Sequence, residues 1–111
     1  MAKIDLITLS ALTASDGSVI ASGATVKFAT KFEIGNTTVR VFPQIWRNRE
    51  LFDTGYTSIH VLNETLPDDI RIDGLTDEQF YNLTPATIYG LVRDWLNNYY
   101  GADIIDVSIT Y

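Results

Sequence analysis

The amino-acid sequence predicts an α+β fold: a mainly antiparallel β-sheet with a long hairpin, and one C-terminal amphipathic helix packed on one face. Three observations carry the prediction. Residues 24–34 alternate strictly, with Ala24, Val26, Phe28, Thr30, Phe32 and Ile34 on one side and Thr25, Lys27, Ala29, Lys31 and Glu33 on the other, the pattern of a strand with one buried face. Gly35-Asn36 follows as a two-residue turn, and the return strand has its own alternation, Val39 and Val41 against Arg40, on the faces that this turn dictates. Residues 85–100, plotted at 100° per residue, spread Ile88, Tyr89, Leu91, Val92, Trp95, Leu96, Tyr99 and Tyr100 over about half of a helix.

The remaining elements follow in order. Residues 4–12 read as a first strand with Ile4 and Leu6 on one face and Ile7 and Leu9 on the other, so it is buried on both sides or bulged. Ala14-Ser15-Asp16-Gly17 supplies a turn, and the alternating strand extends from about 19 to 34. Pro43 marks a strand end, an edge or a bulge, and Arg47-Asn48-Arg49-Glu50 reads as an exposed turn between Ile45-Trp46 and Leu51-Phe52. Residues 56–62 read as a strand and 63–75 as an acidic loop. Thr76-Asp77-Glu78-Gln79 has the form of a capping box and opens a short helix; Thr84-Pro85 are N-cap and first residue of the long one, which ends before Gly101. Residues 104–111 form the last strand. No repeat or linker interrupts the chain, and residues 1–111 read as a single domain.

Composition narrows the chemistry. The chain has 111 residues, 46% of them apolar, which suffices for one core. It has no Cys, which excludes disulfides, thiolate nucleophiles and thiolate-bound zinc, and its single His60 removes most histidine ligand sets. His60 sits mid-strand among apolar residues and reads as structural. The acids at 68, 69, 73, 77 and 78 do not fit a calcium loop: counting from Asp69, the third position is Arg71 and the twelfth Phe80. No glycine-rich phosphate loop is present. No catalytic, cofactor or metal residue is assigned, and the chain is not expected to be an enzyme.

Net charge is −6, which argues against nucleic acid as a partner. The average hides an asymmetry. Residues 1–52 carry six basic and four acidic side chains, a net of +2, and residues 53–111 carry two basic and ten acidic, a net of −8. The hairpin register sets Lys31 opposite Arg40, with Lys27 along the same face and Phe42 opposite Ala29. Like charges opposed in this way are mildly unfavourable unless Glu33, on the diagonal, relieves them. No run approaches the ~20 apolar residues that span a bilayer, and no leader-like segment opens the sequence, so no membrane partner is expected.

Two stretches, VRVFPQIWRNRELFDTG at 39–55 and IYGLVRDWLNNYYGADIIDV at 88–107, resemble small uncharacterised proteins of bacteriophage structural gene clusters and cover about a third of the chain. The resemblance implies a virion component of the tail, connector or collar region, made in the host cytoplasm. Such a protein works by assembling with itself or with neighbouring virion proteins, as a homo-oligomer. The surfaces expected to make those contacts are the basic strip of Lys27, Lys31 and Arg40 with Phe42, the loop carrying Arg47 and Arg49, and the surplus helix edge of Tyr89, Leu96 and Tyr100. The alternative is a soluble acidic binding module, such as a phage-encoded inhibitor, that presents Asp68, Asp69 and Asp73 of the 64–78 segment to a basic host protein.

Overall fold

Alternating strands and matched turns build a five-stranded antiparallel sheet in a computed structural model that describes residues 3–59, 61 and 65–110, with Lys3 and Thr110 described by backbone alone. The strands of that sheet are β1 (Lys3–Thr8), β4 (Thr25–Glu33), β5 (Thr38–Trp46), β6 (Ile70–Ile72) and β7 (Ile105–Thr110), in the spatial order β6-β5-β4-β1-β7. A separate two-stranded ribbon joins β2 (Leu12–Thr13) to β3 (Val19–Ile20). Three helices complete the molecule: α1 (Arg49–Asp53), α2 (Asp77–Tyr81) and α3 (Pro85–Tyr100). The protein is thus α+β, with the β4–β5 hairpin at the centre and the long C-terminal helix packed against β1 and β7.

The hairpin register is the one the alternation requires: Phe32 pairs with Val39, Thr30 with Val41, Lys31 with Arg40 and Ala29 with Phe42. Its turn differs from the expected one. Residues Ile34–Asn36 form a 3-10 turn, and the left-handed residue is Thr37, at φ 48°, in place of Gly35 or Asn36. A β-branched residue is poorly suited to that region. Thr37 is held there from outside, its hydroxyl lying 3.1 Å from the carbonyl oxygen of Leu75.

Directly opposed residues share a face, so the core can be read from the pairings. Leu6, Val26 and Ile45 line up across β1, β4 and β5, and Val39 and Val41 meet Ile72 and Ile70. With Ile105 of β7 and Ile88, Val92 and Leu96 of α3 they form one buried cluster. The hairpin extends past this core. Thr30 is exposed, and Phe32 and Ile34, expected inside, are 48% and 64% exposed. Phe32 keeps an edge-on contact with Phe80 of α2, ring centroids 5.9 Å apart.

Several boundaries differ from expectation: the first strand, expected over 4–12, ends at Thr8, and Leu12 belongs to the separate β2. The strand expected over 19–34 is broken at Gly23, which turns at φ 87°; its first part pairs with β2 and its second begins at Thr25. The exposed turn at 47–50 is the start of α1, where Asn48 caps the helix by accepting from the Leu51 amide. The acidic loop of 63–75 contains β6, whose Ile-Arg-Ile alternation buries both isoleucines against β5. Of the strand expected over 56–62, Ile59 and Val61 make single bridges to Ile45 and Ala14. His60, expected as a structural histidine, lies outside the described residues, as do residues 62–64 and 111.

The helix signals act as read. Thr76 and Gln79 form the capping box of α2. Thr84 caps α3 ahead of Pro85, and Gly101 closes it at φ 72°. Asn97, in the last turn of α3, binds the chain as it returns: its Oδ1 accepts from the amides of Ile104 and Ile105, and its Nδ2 donates to the carbonyl of Ile105.

Candidate interaction surface

The face of the sheet opposite α3 carries the basic strip and Phe42, the first of the surfaces expected to bind partners. Lys27 on β4 and Arg49 on α1 converge on Asp5 of β1, a carboxylate only 5% exposed. Arg49 also pairs with Asp53 at 2.9 Å, and both cations lie over the ring of Phe52, which itself packs edge-on against Trp46. The Asp53 hydrogen bond, and then Asp5, hold the Arg49 guanidinium above its usual range against the opposing effect of burial.

A second cluster lies farther along the same face. Arg40 pairs with Asp69 and lies 4.0 Å from Glu33; the Asp69 hydrogen bond is the main cause of its raised pKa. Arg71, opposite Arg40 in the β5–β6 ladder, lies 3.8 Å from Glu33 and 3.5 Å from Asp73. Asp73 also accepts from the hydroxyl of Thr38 at 2.9 Å. Glu33 therefore lies between two guanidinium groups, which offsets the repulsion built into the Lys31–Arg40–Arg71 row.

Part of the charge asymmetry is met inside the fold: Asp69, from the −8 half, pairs with Arg40 of the basic strip, and Asp53, from the same half, with Arg49. Among the expected contact residues, Lys27, Arg40 and Arg49 have partners within the chain. Phe42 is half-buried under the Arg40 guanidinium, 5.6 Å from its ring centre. Arg47 is exposed and donates to the Val19 carbonyl at 3.0 Å. Lys31 is exposed, and no ion pair reaches it among the described residues.

The surplus helix edge is also used within the chain. Leu96 is fully buried, which places it in the core and away from any surface. Tyr89 packs on Phe28 of β4 with ring centroids 4.8 Å apart. Tyr100 donates its hydroxyl to the carbonyl of Thr65, and burial pushes its phenol up to about 12. Half of the circumference is apolar because α3 touches more than a sheet: one flank holds the chain around residue 65 as well.

Three features were not anticipated. The hairpin tip and α2 carry an exposed apolar patch, where Phe80 links Phe32 to Tyr81, 66% exposed, and Ile34 extends beyond. The sequence signal was available, since a hairpin longer than the helix facing it must leave its tip uncovered. Asp5 was legible as a lone carboxylate inside an apolar strand. The third is an open cavity of about 550 Å³ beside the Phe42–Ile45 edge of β5, where Gln44, Thr57, Ser58 and Asp68 provide the polar lining and Leu66 and Val61 the apolar. Among the described residues, no three His, Cys, Asp or Glu side chains come together as metal ligands, and no helix is long and apolar enough to cross a membrane.

These features define an α+β protein whose polar sheet face is an ion-paired surface and whose exposed apolar groups include a cluster at one hairpin tip, with others on β3 (Val19), after α1 (Tyr56), on α3 (Tyr99) and on β7 (Ile109). No family model matches the chain, and neither a curated protein nor a solved structure matches it.

Proposed function

We propose that this protein is a small structural subunit of a bacteriophage particle, in the tail, connector or collar region, that acts by assembling with itself and with neighbouring virion proteins. The observation that carries the reading is the division of its surface. Charges on the sheet are mostly compensated within the chain, while large apolar side chains stand exposed, clustered at the hairpin tip (Phe32, Ile34, Tyr81), on β7 (Ile109, 50% exposed) and elsewhere at Leu9, Val19, Tyr56 and Tyr99. Aromatic and aliphatic groups gathered at a protruding tip are the chemistry of protein contacts. The sequence resemblance to phage structural proteins supplies the context. The reading assigns the chain no catalysis, no cofactor, no membrane and no nucleic acid.

The alternative, an acidic inhibitor working through residues 64–78, has two of its three carboxylates engaged: Asp69 by Arg40, and Asp73 by Arg71 and Thr38. The assembly reading is the one we retain. Mass spectrometry of purified particles checks it, with the chain expected at a fixed, multiple copy number. Absence from particles together with a strict monomer at high concentration would sink it.

A further inference from the structure

The two edges of the sheet are finished differently. On one side, β6 is three residues long and flanked by Asp69 and Asp73, and the β5 edge beyond it carries Pro43, both devices that discourage strand addition. On the other side, β7 runs six residues with neither Lys nor Pro. Residues of an antiparallel strand alternately bond to the neighbour and turn both backbone groups away from it. The Leu9 amide donates to the Ile104 carbonyl, whereas both backbone groups of Ile105 are taken by Asn97, so Ile105, Val107 and Ile109 are the residues facing away from β1. Asn97 closes the edge at Ile105. At Val107, among the described residues, only the amide is engaged, by the preceding Asp106 carboxylate at 2.8 Å, which Arg93 approaches to 3.8 Å.

We infer that the open half of β7 is a self-association edge, where a second copy of this chain adds antiparallel about a twofold axis at Ser108. With Ile105 blocked, this register pairs both outward residues within β7: Val107 of each copy meets Ile109 of the other, and four backbone hydrogen bonds form once Asp106 releases the Val107 amide. The sequence complements itself there. The apolar pairs continue the helix-covered face of the sheet, Ile109 loses its exposure, and Asp106 falls opposite Thr110, so no like charges meet. The inference deepens the assembly reading, on which it rests, by naming the edge and the partner.

Sedimentation of the full chain across a concentration series tests it. A dimer is expected, with its dissociation constant raised at least tenfold by Ile109→Pro, which removes an amide that faces away from β1, and by Ile109→Lys, which keeps that amide; circular dichroism checks that each variant is folded. The chain has no Cys, so single-cysteine variants give a second readout. Across the axis, Ser108 meets its own copy as a non-hydrogen-bonded pair at about 4.5 Å between Cα atoms, within disulfide reach. Ser108→Cys should therefore cross-link under mild oxidation much faster than Asp106→Cys, whose copies lie about 13 Å apart along the strand. An oligomer indifferent to both Ile109 substitutions, or equal cross-linking at the two positions, overturns the edge and leaves the assembly reading standing. A strict monomer overturns the edge, and with absence from particles it overturns both.

Discussion

On the helix side of the sheet, Leu6, Val26, Val41 and Ile45 are sealed from water by α3 and by each other; on the other side, the same strands present Asp5, Lys27, Glu33 and Arg40, each within reach of an opposite charge. The first face is held by apolar area and shape, which work wherever a side chain fits. The second is held by pairs whose worth depends on their burial, because attraction between charges must offset the loss of their hydration. The difference teaches where this protein is brittle. A truncation on the dry face costs energy in proportion to the hole it leaves; on the charged face the cost falls steeply from the Asp5 end to the Arg40 end.

The sharpest way to break the dry face is Leu96→Ala, which opens a cavity under α3 and should cost about 2–5 kcal/mol in denaturant unfolding. Asp5→Ala comes next. It leaves Lys27 and Arg49 without their shared, nearly buried partner, and a loss of about 2–3 kcal/mol is expected, below the loss for a fully buried pair because both cations retain some water. If Asp5→Ala proves neutral, the cluster is a surface ornament and the gradient along the charged face disappears.

Tyr100→Phe should cost about 1 kcal/mol, through the hydrogen bond to Thr65. It also has a pH signature. The folded phenol, raised to about 12, holds its proton more tightly than the unfolded one near 10, so its contribution is complete below pH ~10 and is lost as pH rises through the folded value. An ultraviolet titration in which all tyrosines ionise together near 10 would contradict this. The smallest loss is expected at Arg40→Gln, since this pair is solvated. That loss should shrink in high salt, unlike the loss at Leu96.

Local rules made much of this fold legible. The hairpin register came from two alternations that agreed, and the ends of α2 and α3 from side chains that satisfy backbone amides within a few residues. What was hidden depended on distant partners. β6 is only Ile-Arg-Ile, too short to stand out from an acidic loop, and it is a strand because β5 offers an edge there. The basic strip was correctly placed on one face, but the pairing of Arg40 with Asp69 required knowing that β6 lies beside Arg40. Thr37 shows the same dependence: a turn sequence suited to left-handed glycine and asparagine puts the unusual angle on a threonine that the Leu75 carbonyl can hold. Leu96 lay at the rim of the apolar arc, and chain contacts beyond the sheet decide whether such a rim is core or surface.

The pairing of β1 with β7 sets Lys3 opposite Thr110, so β1 finds one of its two neighbours only after about a hundred further residues have been made. Until then β1 has β4 on one side and nothing on the other. Contacts this remote in sequence form late, because a long loop must close before they are rewarded. The nascent chain therefore passes through an interval with a strand open to any passing edge, and the Asn97 clasp, which orients β7 directly out of the helix, shortens the search that ends it.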